Sequence, residues 1–230
     1  MAGICLYVED GVPGLPKIRS FIRDTFNLSV VLKKGRGILK TQGLILDIVN
    51  THKAWRKAVE VKAADRWAII ITRRLFATPD SVDKRLHLRA ALFSYPSIIS
   101  LSGIVEAAAK PREYYLARQS LQGSGLWPIE EARIKRRLAA RFIDHGDARI
   151  PEVVKGLSSQ AIFFWLTGNP FCQRKSCRLY NAHWQEDLIY SQIKSGRFCR
   201  GHSRRLKRLK EKIQNGGRDD RKRKSGKGPE

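Results

Sequence analysis

Methionine is almost absent from this 230-residue chain, occurring only as Met1, and cysteine is sparse, with four residues. So few cysteines cannot build a disulfide framework, and a chain of this length can bury a core without one. Acidic residues are scarce too: 21 Asp and Glu stand against 45 Lys and Arg, a formal net charge of +24. An excess of that size points to a polyanionic partner, RNA before DNA, with a protein partner as the alternative. No apolar run approaches the roughly 18 residues that a membrane span requires, so no membrane association is expected. The opening MAGICLYVED lacks the basic and apolar regions of a signal peptide. The expected location is therefore cytoplasmic, where thiols stay reduced and clustered cysteines indicate metal before disulfides. No P-loop, G-x-G-x-x-G or G-x-S-x-G motif is present, which removes the commonest phosphate cradles and the nucleophile elbow.

What is present alternates between two periods. Residues 4–8 (ICLYV) read as a strand, with Cys5 a small buried hydrophobe in it, and residues 17–26 as a helix with Ile18, Phe21, Ile22 and Phe26 at helical spacing. Residues 29–34 (SVVLKK) form the next strand. Residues 42–59 carry Leu44, Ile45, Ile48, Val49 and Trp55 at helical intervals, and residues 67–72 (WAIIIT) and 97–107 (SIISLSGIVEA), the latter interrupted by Gly103, read as strands. This order predicts an α/β (α+β) fold, a mixed sheet with flanking helices.

The second half reads as helical. Residues 129–143 form a basic amphipathic helix, and the helix from Pro151 becomes apolar all round at AIFFWL, which implies burial, before Gly168 and Pro170 stop it. Residues 183–194 make one more helix. One domain is expected over residues 1–202, with a sheet part (1–122) and a helical part (129–202). Residues 203–230 hold twelve Lys and Arg against four Asp and Glu and read as a basic tail, a frayed helix to about Gln214 and disordered beyond. Arg204, Arg205, Lys207, Arg208, Lys210, Arg221, Lys222, Arg223 and Lys224 in the tail are expected to meet phosphates, with Arg133, Lys135, Arg136, Arg137 and Arg141 as a second patch.

Three of the four cysteines fall in one window. Cys172 and Cys177 make a C-x4-C pair just past a helix, and Cys199 and His202 make a C-x2-H pair after the next. Two short-spaced pairs brought together across an intervening element are how closed tetrahedral zinc sites are assembled, so one structural zinc per chain is expected there. His183, between the pairs, is an alternative ligand.

The same window resembles the archaemetzincins, metzincin-type metallopeptidases with the signature HExxHxxGxxxC-x4-C-x-M followed by C-x2-C. Gly168, Cys172, Cys177 and Cys199 fall in the matching order, with His202 where the last cysteine would stand. LSGIVEAAAKPREYY and HLRAALFSYPSIIS further resemble an archaeal offshoot of metallopeptidase-like proteins. The resemblance implies a metzincin-like fold and a structural zinc. It also locates a degenerate active site: the motif histidines fall on Ala161 and Trp165, the general-base glutamate on Ile162 and the third histidine on Phe171, while Leu179 replaces the methionine. Zinc-assisted hydrolysis needs three ligands, an open position for water and a base, so an inactive relative that binds RNA or a ribonucleoprotein is expected. The alternative is an active metallopeptidase with other ligands. Asp144, His145 and Asp147 form a local cluster that reads as a polar turn, and Glu106 with Lys110 and Arg112 reads as an ion pair before a catalytic acid.

Overall fold

A computed structural model describes residues 3–35, 45–46, 48–60, 66–80 and 82–225. Its centre is a five-stranded sheet. β1 (Gly3–Val8) lies between β2 (Ser29–Lys34) and β4 (Arg66–Thr72), parallel to both, and β8 (Ser97–Ser100) continues the parallel set beside β4. β7 (Ala91–Leu92) closes the edge antiparallel to β8. Parallel strands are covered on both faces and so read as unbroken apolar runs, which is why every residue of β1 is buried. Ile4, Leu6, Val8, Ile69 and Ile71 point to one core, with α1 (Leu15–Phe26) and α6 (Ile150–Thr167). Cys5, Tyr7, Ala68 and Ile70 point to the other, with Trp55 and Val59 of α2 (Ile48–Glu60). A second, small sheet joins β3 (Ile45–Leu46), β5 (Leu75–Pro79) and β6 (Leu86–Arg89).

Three expectations are corrected. The helix expected over 42–59 starts only at Ile48, because Ile45 and Leu46 pair in parallel with Leu75 and Phe76; residues 42–44 lie outside the described residues. The strand expected over 97–107 ends at Ser100 and turns into α3 (Leu101–Glu106). Ser100 Oγ accepts the Gly103 N–H at 2.7 Å and donates to the Arg74 carbonyl at 2.6 Å, a helix N-cap that ends the strand where it begins the helix. Gly103 is thus no strand interruption but the place where α3 crosses the backbone at Arg89, whose carbonyl a Cβ would strike. The basic helix expected over 129–143 is α5 (Trp127–Arg137) and stops early. There the Arg149 guanidinium donates to the carbonyls of Ala139 (2.8 Å) and Phe142 and offers the chain an alternative to further helix. Leu138 and Phe142 then join Ile134 and Tyr114 of α4 (Arg112–Leu121) in a satellite core.

α7 (Gln185–Ile189) runs into a π-helical turn, Tyr190–Ser195, which Gly196 ends in the left-handed region. The last helix is α8 (Arg200–Ser225), and Leu206, Leu209 and Ile213, at helical spacing, pack on the main core.

Gly103→Ala is expected to destabilise the fold by about 1–3 kcal/mol, the usual range for a forced overpacking. Gly123→Ala, where a Cβ meets nothing within 4 Å, should stay within about 0.5 kcal/mol. Urea unfolding of the two variants measures the difference.

Candidate metal centre

α6 ends because Gly168 takes a left-handed conformation (φ 71°) and its N–H returns to the Phe164 carbonyl at 2.8 Å. The chain then doubles back. The Cys172 N–H donates to the Leu179 carbonyl at 2.9 Å and the Cys177 N–H to the Arg174 carbonyl at 2.9 Å, which folds C-x4-C into a knuckle with both thiols facing one side. A second tie brings in the other pair: the Arg178 N–H donates to the Arg197 carbonyl at 2.8 Å and Arg178 Nε to the Gly196 carbonyl at 2.8 Å, so the segment leading to Cys199 lies alongside Cys177. His202 sits in the first turn of α8, where the Ser203 N–H bonds the Cys199 carbonyl at 2.9 Å.

The four donor atoms lie within 4.8 Å of one another. Cys199 Sγ is 3.2 Å and Cys177 Sγ 3.8 Å from His202 Nδ1, and Cys172 Sγ is 3.9 Å from Cys199 Sγ. Zn–S bonds of about 2.3 Å in a tetrahedron put sulfurs about 3.8 Å apart, close to the 3.9 Å between Cys172 and Cys199, so the cage is of a size that could hold a zinc ion. The sulfurs have supporting donors: the Arg174 N–H on Cys172 and the Cys199 N–H on Cys177, both at 3.4 Å. Burial pushes the Cys177 thiol up to about 12, against the opposing N–H bonds of Cys199 and Leu179. Burial also opposes ionisation of Cys199, but hydrogen bonds from the His202 backbone and imidazole and from the neighbouring thiols outweigh it and bring that thiol down to about 6.

The other candidates disperse. His183 is exposed outside this group, its carbonyl accepting the Ala109 N–H at 2.7 Å. Asp144 pairs with Lys135 at 3.0 Å, His145 with Glu106 at 3.2 Å and Asp147 with Arg149 at 2.6 Å, so the three are drawn to different partners. Glu106 also meets Lys110 at 3.0 Å; these partners hold its carboxyl below its usual value although burial pushes the other way. Among the described residues one further group of metal-ligand side chains gathers, Asp80, Asp83 and His87, which spelling alone does not reveal. Its carboxylates accept the N–H groups of Val82 and Arg85 in the exposed β5–β6 turn.

The positions singled out by the resemblance carry apolar packing. Ala161 and Ile162 are fully buried, Trp165 stacks on Trp67 with centroids 5.8 Å apart, and Phe171 meets Phe93 edge-on at 5.6 Å. The basic residues divide. In the second patch Arg141 is gripped by Glu113 (2.8 Å) and Glu186 (2.6 Å) and Lys135 by Glu131 (3.3 Å) and Asp144, while Arg133, Arg136 and Arg137 stay exposed. On α8, Arg204, Arg205, Lys207 and Arg208 are exposed opposite the apolar stripe, and Lys210 reaches the Asp24 carbonyl at 3.3 Å. Arg221, Lys222, Arg223 and Lys224 lie on the last turns of the same helix.

The fold is similar to that of the zinc-dependent peptidase from Methanocorpusculum labreanum (strain Z), with a TM-score of 0.52 over 89% of this chain and 99% of that one. At 13% identity the likeness concerns the fold alone. No curated protein matches the chain. Residues 20–209 match the family described as "Probable metallopeptidase family (DUF6775)"; the chain, with its mostly parallel sheet and cage of three thiols and an imidazole, belongs to that family.

Proposed function

We propose that this chain is an archaemetzincin-like relative of zinc peptidases that no longer hydrolyses peptides, and that it binds nucleic acid, RNA before DNA, through the basic face of α8. The observation that carries the reading is the contrast along one helix and its exit. Ala161, Ile162, Trp165 and Phe171 offer neither ligand nor base, while the four donors just beyond them close a full shell. A closed shell leaves no position for a reactive water, so the zinc it holds is structural. Bound there, the metal would supply cross-linking: Cys172 and Cys177 fix the exit of α6, and Cys199 and His202 fix the start of α8. The apolar stripe Leu206, Leu209 and Ile213 lies on the core, which leaves Arg204, Arg205, Lys207 and Arg208 facing water as a row of point charges. Such a row suits phosphate neutralisation and carries no base readout. The zinc-dependent peptidase with a similar fold supports the alternative, hydrolysis through other ligands, and activity assays decide between the two.

Protein purified without chelator is expected to hold one equivalent of zinc by elemental analysis, lost in Cys177→Ser and retained in Asp83→Ala. Chelation should speed amide exchange over residues 171–203 while β1 and β4 keep their protection, since a structural zinc contributes on the order of 10 kcal/mol locally. Two equivalents of zinc, or chelator-sensitive cleavage of a peptide library, would overturn the non-hydrolytic reading.

Binding to a generic RNA should weaken steeply between 50 and 300 mM salt. Replacing Arg204, Arg205, Lys207 and Arg208 together by glutamine should lower the slope of log K against log salt by about 3, at roughly 0.7–0.9 per phosphate contact, with zinc content unchanged. An unchanged slope in anisotropy titrations would remove α8 from the interface.

A further inference from the structure

Of the three thiols in the metal cage, Cys172 and Cys199 form a close and accessible pair. Their Sγ atoms stand 3.9 Å apart and both residues are partly exposed. Cys177 differs: it is fully buried, its Sγ 3.8 Å from His202 Nδ1 and bonded by the Cys199 N–H at 3.4 Å. The chain's fourth thiol, Cys5, is buried in β1 on the other core. The pair also joins the two halves of the cage, since Cys172 lies on the knuckle past α6 and Cys199 just before α8, 27 residues further along. Hydrogen bonds that do not involve these thiols hold the two segments side by side: the Arg178 N–H to the Arg197 carbonyl at 2.8 Å and Ser195 Oγ to the Ser176 carbonyl at 2.5 Å. A disulfide is about 2.05 Å long, so the sulfurs have about 2 Å to close.

We infer that Cys172 and Cys199 are a redox pair: hydrogen peroxide converts them to a disulfide, which replaces zinc as the link between the exit of α6 and the base of α8. One sulfur of the pair attacks a peroxide oxygen, the O–O bond breaks, and a sulfenic acid and hydroxide form. The other sulfur then displaces hydroxide from the sulfenic sulfur as the S–S bond forms. The two sulfurs give up two electrons, and the peroxide, taking them with two protons, ends as two molecules of water. Burial assigns the pair, because oxidation to a sulfenic acid follows access and Cys177 is shielded. The new bond withdraws two of the four donors and leaves Cys177 and His202, half of a closed zinc shell. The inference rests on the zinc reading above and adds regulation to it: oxidation exchanges the metal for a covalent bond, and a thiol reductant restores the ligands.

The test treats the full-length, zinc-loaded chain with hydrogen peroxide beside a chromogenic zinc chelator, with a peroxide-free sample alongside, and maps unreduced peptides by mass spectrometry. Zinc is expected to leave as the chain loses two hydrogens, about 2 Da, with the cross-link between the peptides that carry Cys172 and Cys199. A thiol reductant and added zinc should restore one equivalent of the metal, and Cys5→Ser should respond as the wild type. Amide exchange gives a second readout. Over residues 171–203 the oxidised, zinc-free chain should exchange at least about tenfold more slowly than the reduced chain stripped by chelator, because the disulfide closes a loop that chelation leaves open. Three results would overturn the redox pair and leave the zinc reading intact: zinc retained at peroxide concentrations that oxidise free glutathione, a cross-link that includes Cys177, or zinc loss only through sulfinic acids that no thiol reverses. Absence of zinc before any peroxide is added would overturn both.

Discussion

Eleven residues of α6 are buried between the sheet and the elements that follow it, and the position of this one helix determines where everything at its C-terminal end can go. Val153, Val154, Leu157, Ala161, Ile162 and Phe163 pack into the core shared with α1 and one sheet face. Each large apolar side chain contributes about 1.5–3 kcal/mol relative to exposure, so the helix cannot rotate or slide without losing several at once. Buried Gln160 is committed as well: it donates to the Tyr180 carbonyl at 3.0 Å, which ties the knuckle back onto the helix that precedes it. The stop at Gly168 therefore delivers Phe171 to its edge-on contact with Phe93 and Cys172 to the metal cage from a fixed point.

Beyond that point the balance of forces changes. The knuckle is a short irregular segment with exposed residues at 173–175, and an exposed ion pair such as Lys175–Asp187 (2.9 Å) is screened by solvent and adds little. Burial of Cys177 and Leu179 works against chain entropy there, and a metal held as proposed above would add a far larger binding free energy. Arg178 has the complementary role. Buried beside Cys177, stacked over Phe21 at 4.9 Å and bonded to the Gly196 carbonyl, it brackets the cage from the protein side.

Features that depend on local spelling were legible in the sequence. ICLYV and WAIIIT are unbroken apolar runs because parallel strands are buried twice, and the four side chains that gather at the end of α6 stand in two short-spaced pairs. Where two readings compete locally, the decision lies in a contact that spelling does not carry. SIISLSGIVEA has the composition of one long strand, and only Ser100 Oγ, reaching both Arg74 and Gly103, turns it into a strand and a helix. The basic helix looks uniformly cationic from its letters, yet Lys135 and Arg141 are held by carboxylates from other elements. The aromatic packing was half visible: Trp165 and Phe171 stood out as replacements for ligands, but their partners Trp67 and Phe93 come from β4 and from the loop after β7, so the contacts they make exist only in the fold.

The length of α8 gives its apolar anchors a mechanical meaning. From Ile213, the last of them, to Ser225 the helix extends roughly 18 Å at 1.5 Å per residue. A rod held along its first half converts small rotations into larger excursions: a tilt of about 10° at Ile213 carries the far end through about 3 Å, comparable to the rise of about 3.4 Å per phosphate of one strand. Leu206, Leu209 and Ile213 thus set the aim of the rod, and the turn that carries Cys199 and His202 sets its base.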